Sequence, residues 1–246
     1  MTFSIAARCP RTGMLGVATS SKALSAGGLV PYIKPGVGAI ASQSFVNPYL
    51  GIDGLVLLEQ GLPAERALER LIETDPGRDV RQLAIVDRDS RVAAHTGSRC
   101  IPWAGHLLGG GYVCLGNILA GERVVAAMAE AYERSSEEDF QERLMRALEA
   151  GQEAGGDRRG RQSAGIKIYA SEEYPWLDIR VDDHPDPVTE LRRVLEVWKR
   201  EEFPYLDEMP TRRNPIPHWE RVIAIRDEIA RELDERERAA TRESLS

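Results

Sequence analysis

Thr2 is the residue with the most chemistry to offer. It follows Met1 and opens an alternating run, and so small a side chain at the second position permits removal of the initiator methionine. Thr2 would then carry a free α-amine beside its own hydroxyl. Such an amine has an ordinary pKa of about 7.7–8.0, so much of it is a free base near neutral pH. It can take the hydroxyl proton while the oxygen attacks a carbonyl, with no histidine or aspartate partner required. That economy suits a chain with only four histidines. Many cytoplasmic proteins also begin Met-Thr, so the expectation needs support from other residues.

The segment Ala154–Ala164 supplies some. It packs Asp157, Arg158, Arg159, Arg161 and Ser163 among glycines. Glycines let backbone approach a ligand, and an arginine such as Arg158 or Arg161 could clamp a carboxylate with two parallel hydrogen bonds. A surface loop pairing with the acidic excess is the plainer alternative. Asn117 ends an apolar run and could donate a side-chain amide to an oxyanion, or simply make a turn. Gln43 interrupts an apolar strand, so its amide must find partners, in a network or a site. His95, in His95-Thr96-Gly97, marks another strand end. Asp182, Asp183, His184 and Asp186 offer metal-type donors. Ligands crowded into one short run rarely close a shell, however, and Asp186-Pro187 reads as a helix start. A salt-bridged strand end is expected there, with no metal and no cofactor. His106 and His218 have no nameable partner in the sequence.

The elements that must position these residues follow from periodicity. Thr2–Arg8 and Met14–Ser20 read as a hairpin, with a loop from Ser21 to Gly36 and a strand from Gly38 to Phe45. Two helices, Leu50–Gln60 and Ala64–Glu73, are split by Gly61-Leu62-Pro63. Strands Arg81–Asp87, Arg91–Thr96 and Gly111–Leu119 come next. Helical stripes then run through Val125, Met128, Ala129 and Tyr132, and through Phe140, Leu144, Ala147 and Leu148. The glycine-rich loop leads to strands Ala164–Ala170 and Leu177–Asp182, and Leu191, Val194, Leu195 and Trp198 mark a further helix. Strands in hairpin-like groups favour an α+β layered domain with largely antiparallel sheets over a Rossmann-type sheet.

A chain of 246 residues, 42% hydrophobic and 29% charged, can bury a sizeable core. Its net charge of −7 argues against a nucleic-acid partner. No apolar run reaches the length of a membrane span, and the start lacks a signal-peptide pattern, so a cytoplasmic protein is expected. The three cysteines read as reduced thiols. Residues 1–200 are expected to form one domain. Residues 201–246 form a proline-rich linker (Pro204, Pro210, Pro215, Pro217) and a charged helix, frayed from about Ala239. The sparse stripe of Trp219, Val222, Ile229 and Leu233 needs a surface to pack on, which favours a homodimer.

Several of these segments together resemble the DUF1028 family, placed in the N-terminal nucleophile (Ntn) hydrolase-like superfamily. They are Thr2–Arg8, Thr12–Ala18, Gly36–Ala39 with Gln43, Arg81-Gln82, His95–Gly97, Gly116-Asn117, Ala154–Ala164 and Arg180–Pro187. The resemblance runs from Thr2 to about Arg193 and implies a four-layer αββα sandwich of Ntn-hydrolase type. Proteasome-type Ntn hydrolases are a more distant template, and that likeness implies roles for Asp157 and Ser163 in orienting the amine. It also suggests Lys34 or Lys22 as a pKa-lowering lysine. Their acidic residue at the end of the second strand has no counterpart here, where Ser20 and Ser21 stand.

The sequence thus supports an amidohydrolase acting on a small amide that could bear a carboxylate. Thr2 is the nucleophile, its amine the base, and Asn117 or a backbone N–H near Gln43 meets the oxyanion. Asp157, Ser163 and Lys34 tune the amine, and Arg158 or Arg161 binds the carboxylate. The rival reading is a binding or scaffold protein that keeps the fold without the chemistry.

Overall fold

The computed structural model describes residues 2–216 and 218–244. They divide into two compact units, residues 1–192 and 193–246. The expected boundary at 200/201 falls eight residues later, inside a helix that runs across the division.

The first unit holds two antiparallel sheets. One contains β1 (Thr2–Arg8), β2 (Leu15–Ser21), β7 (Gly105–Gly109), β8 (Tyr112–Asn117), β9 (Ser163–Tyr169) and β10 (Leu177–Val181), in the order β10-β9-β2-β1-β8-β7. The other runs β3-β4-β5-β6, from β3 (Pro31–Lys34), β4 (Gly38–Ser44), β5 (Arg81–Asp87) and β6 (Val92–Thr96). The sheets face each other, β1 lying against β4 and β5. Helices α2 (Pro48–Glu59) and α3 (Ala64–Thr74) cover the outside of the smaller sheet. Helices α4 (Arg123–Arg134) and α5 (Phe140–Glu153) cover the outside of the larger. A short α1 (Ala26–Leu29) packs on β9 and β2.

Two strands and α1 were not legible in the sequence. β3 begins at Pro31 and β7 is glycine-bounded with His106 and Leu108 exposed; both are edge strands, where apolar alternation and proline exclusion relax. α5 also runs on to Glu153, taking the first three residues of the glycine-rich loop expected over Gly151–Gly160.

Each strand alternates between an outward face and the space between the sheets. The outward faces pack on helices: Ile40, Leu83 and Ile85 meet Leu50, Leu58 and Leu71. α2 starts cleanly because Asn47 accepts the Tyr49 N–H at 3.1 Å and Pro48 occupies the first turn. Between the sheets lie Ala6, Val17, Ala39, Ala41, Ala84, Val86, Val113 and Leu115. All odd-numbered strands begin, and all even-numbered strands end, at one end of this sandwich.

Towards that end the inner faces of five strands turn polar. Along β1 the series is Ala6, Ser4, Thr2; along β2, Val17, Thr19, Ser21. On β8 it is Val113, Leu115, Asn117; on β4, Ala39, Ala41, Gln43; on β5, Val86, Ala84, Gln82. All of these residues are buried, so the polar members must satisfy one another.

The second unit comprises the end of α6 (Pro187–Glu201), a 3-10 stretch at Phe203–Glu208 and α7 (Trp219–Ser244). The 3-10 stretch lies within the expected linker. Glu208 ties it to α7, pairing with Arg221 at 2.9 Å and accepting the His218 N–H at 3.2 Å. Trp219 is exposed, while Val222, Ile229 and Leu233 are half-buried. No helix among the described residues is long and apolar enough to cross a membrane.

Candidate active site

Four polar residues stand in register across the end of the larger sheet: Asn117 on β8, Thr2 on β1, Ser21 on β2 and Ser163 on β9. Thr2 is 5% exposed, and its Oγ1 lies 3.2 Å from Ser21 Oγ. Met1, on which the expected trimming falls, lies outside the described residues.

The floor beneath Thr2 is an amide network spanning both sheets. Gln43 and Gln82 are register partners on β4 and β5. Gln43 Nε2 donates to the Thr2 carbonyl at 3.2 Å and to Gln82 Oε1 at 2.8 Å. Ser4 donates to Gln43 Oε1 at 2.6 Å, with Thr19 Oγ1 at 2.8 Å from the same hydroxyl. Asn117 Nδ2 donates to Gln82 Oε1 at 2.9 Å. Gln82 Nε2 in turn faces Gly116 O at 2.7 Å, Thr96 Oγ1 at 3.0 Å and Gly105 O at 3.1 Å. Thr96 also meets His106 Nδ1 at 2.9 Å, which gives His106 the partner that the sequence did not reveal.

Two backbone features sharpen this end. Ser44, directly after Gln43, has φ 71°, and Ile118, directly after Asn117, has φ 50°. A β-branched residue in the left-handed region is strained, and such strain persists only where its surroundings over-determine it. Here Ile118 N–H donates to Ile101 O at 2.9 Å, and Ile118 O accepts the Arg158 N–H at 3.1 Å.

The remaining expected site residues distribute as follows. Asp157 is buried and accepts the Lys22 N–H at 2.8 Å and the Arg159 N–H at 2.9 Å, with the Arg159 guanidinium at 3.3 Å. It fastens the glycine-rich loop to the end of β2. Ser163 Oγ donates to Ala23 O at 2.6 Å and accepts the Ala26 N–H at 3.1 Å, so it holds the turn before α1. Gln43 contacts Thr2 only through the main chain, and both its N–H hydrogens are used; it positions Thr2 and leaves no donor for substrate. The Phe45 N–H, two residues on from Gln43, is committed to Val80 O at 3.2 Å. His95 Nε2 bonds Arg78 O at 2.8 Å, outside the network. Arg161 pairs with Asp186 at 2.8 Å, whereas Arg158 has no side-chain partner among the described residues.

Lys34 is a correction. It pairs with Glu59 at 2.5 Å and stands opposite Gly38, at the far end of β4. Five residues separate Gly38 from Gln43, roughly 17 Å at about 3.4 Å per residue. Lys34 therefore cannot tune an amine at Thr2.

Asp75 and Arg81 build the adjoining rim. Arg81 Nε donates to Asp75 Oδ2 at 2.8 Å, its Nη1 to Phe45 O at 2.6 Å, and its guanidinium lies 5.6 Å from the centre of the Phe45 ring. Burial by itself would raise the Asp75 pKa. The Arg81 and Gly77 hydrogen bonds and the charges of Arg81 and Arg78 outweigh it and hold the carboxyl below its ordinary value.

Sequence reasoning missed Ser4, Ser21, Thr96 and the bridging role of Gln82. The signal was present: five inner-facing strand patterns that turn polar at the same end.

The family model for "Family of unknown function (DUF1028)" matches residues 2–191. The chain belongs to the DUF1028 family. A crystal structure of a DUF1028 protein from Silicibacter pomeroyi is 30% identical, with TM-score 0.81, over 88% of this chain and 94% of that one. Anbu (ancestral beta-subunit) from Yersinia bercovieri matches at 14% identity and TM-score 0.37, over 82% of this chain and 96% of that one. An Anbu (Gly-1) mutant from Hyphomicrobium sp. strain MC1 matches at 12% identity and TM-score 0.38, over 82% and 97%. No curated protein matches the chain.

Proposed function

We propose that this DUF1028 protein is a cytoplasmic N-terminal-nucleophile amidohydrolase, its two sheets and helical covers forming an Ntn-hydrolase sandwich. The observation that carries the reading is the placement of Thr2. It opens β1 at the polar end, flanked in register by Ser21 and Asn117, with its carbonyl fixed by Gln43. After loss of Met1, the Thr2 amine takes the Oγ1 proton as the oxygen adds to an amide carbonyl. Asn117, whose Nδ2 already gives one hydrogen to Gln82, offers its second to the oxyanion. The C–N bond then breaks, the amine leaves with the proton, and water hydrolyses the remaining ester. Ser21, 3.2 Å from the nucleophile, orients its hydroxyl. Asp157 and Ser163 act at one remove, by holding the turn that follows Ser21 through Lys22, Ala23 and Ala26.

A second reading rests on the burial of Thr2 and on a network satisfied from within. On this view the row is a structural plug in a binding protein.

Intact mass decides between them. The hydrolase reading expects a species lighter by one methionine that gains the mass of a β-lactone probe, and a Thr2→Ala variant that does neither chemistry nor labelling while melting like the wild type. Homogeneous Met1-bearing protein that hydrolyses amides at full rate, or full activity in Thr2→Ala, overturns it. Retained Met1 with no labelling and no turnover supports the plug.

A further inference from the structure

The loops around the Thr2 end expose four large apolar side chains. Leu24 is 65% exposed, Leu29 48%, Phe45 71% and Ile101 55%. Each is tied to a strand end beside Thr2. Leu24 lies three residues beyond Ser21, and Leu29 closes α1 just before β3. Phe45 follows β4 directly, held by Arg81. The Ile101 carbonyl accepts from Ile118, the neighbour of Asn117. Single exposed apolar residues are ordinary; four gathered round one buried row are the mark of a surface meant to be covered.

Two cations share that end. Lys22 follows Ser21, and its N–H donates to Asp157. Arg158 follows Asp157, and its N–H donates to Ile118 O. Each is thus placed beside one cross-strand neighbour of Thr2. Neither side chain has an ion pair or hydrogen bond among the described residues, although Arg159 and Arg161 on the same loop are both paired. The chain carries 39 acidic against 32 basic residues, so partners are not scarce. Cations left open beside an apolar rim fit a ligand that is anionic at one point and apolar at another.

We propose that the Thr2 end binds N-acyl amino acids: an apolar acyl group on the rim of Leu24, Leu29, Phe45 and Ile101, and a carboxylate on Arg158 and Lys22. This rests on the hydrolase reading and names its substrate class. Water is the second reactant, the amide C–N bond breaks, and the products are a carboxylic acid and a free amino acid.

Non-hydrolysable sulfonamides test the binding on the wild-type chain. Octanesulfonylglycine, ethanesulfonylglycine and octanesulfonamide are titrated by calorimetry. A covered methylene is worth about fourfold in affinity, so the octyl compound should bind at least about a hundredfold tighter than the ethyl one. Loss of the carboxylate should cost about tenfold. Phe45→Ser and Ile101→Ser, both at exposed positions, should shrink the chain-length effect, and Arg158→Ala with Lys22→Ala should erase the carboxylate effect. Equal binding of the ethyl and octyl compounds, or of octanesulfonamide and octanesulfonylglycine, overturns the proposal. Octanoylglycine added to the wild type separates the two readings. Binding with the expected dependences but no hydrolysis removes the hydrolase and keeps the site, whereas hydrolysis that is indifferent to acyl length keeps the hydrolase and removes the site.

Discussion

Besides Asp75 on the rim, the sandwich buries Asp157 near the Thr2 end and Asp87 near the other, and these two are used alike. At the end away from Thr2, Asp87 accepts N–H groups of Ala64, Asp89 and Arg91 and the Arg91 guanidinium at 2.7–3.2 Å. At the Thr2 end, Asp157 accepts those of Lys22 and Arg159 and the Arg159 guanidinium. Each is a small acid fastening a turn. The ends differ in their neutral groups. The Thr2 end gathers hydroxyls and carboxamides from strands of both sheets, and there Lys22 and Arg158 have no side-chain partner among the described residues. A buried carboxylate is therefore a poor guide to function in this chain, and the convergence of uncharged polar side chains is the better one.

The sharpest way to break that contrast is a pair of variants. Asn117→Ala should lower kcat by about 10²–10³, equivalent to about 2.7–4 kcal/mol, with a modest change in melting. Asp87→Ala should lower the melting temperature and leave kcat per folded molecule unchanged. Paired kinetic and thermal measurements check both; if the two variants behave alike, the ends are not functionally distinct. Gln82→Ala probes the network itself. It strands donors on Gln43 and Asn117 and the Gly116 carbonyl in a dry interior, so chemical denaturation should show a loss of about 2–3 kcal/mol.

A smaller effect concerns the rim. The Asp75 pKa is depressed in the folded chain, so its pairing with Arg81 stabilises above the ordinary carboxylate pKa of about 3.9. That contribution is lost as pH falls through the lower, folded-state value. Asp75→Asn should be less stable at pH 7 than the wild type and should lose less further stability between pH 5 and pH 2, as thermal melts across that range would show. The smallest change expected is a gain. Ser44→Gly relieves a left-handed serine and should raise stability by up to about 1 kcal/mol. If kcat falls at the same time, Ser44 holds Gln43 in place; if kcat is unmoved, its strain has no part in the site.

How much of this was legible in the sequence varies with the kind of information. β1, β2, β4, β5 and β8 could be read because their apolar alternation is strong. β3 and β7 could not, being edge strands with relaxed patterns. Thr2, Asn117 and Gln43 drew notice by residue type, but no local signal reveals that Thr2 pairs with Asn117, because register between distant strands is fixed by packing and not by neighbours in sequence. Lys34 was misplaced for the same reason: proximity in sequence does not say which end of a hairpin a residue occupies. Ser21 sat at the edge of an expected loop, and the role of Gln82 emerged only once Gln43 was found beside it.

The paired glutamines carry one more implication. Carboxamides neither gain nor lose protons near neutrality, and they do not pass them along as water chains do. The floor under Thr2 is therefore an insulator, electrically quiet across the physiological range. Among the described residues, the titratable group wired to it is His106, reached through Thr96 and Gln82. On the hydrolase reading, protons then enter and leave through the amine, the substrate or solvent and not through this floor. Rate against pH should accordingly trace one simple ionisation, with the interior contributing no second limb.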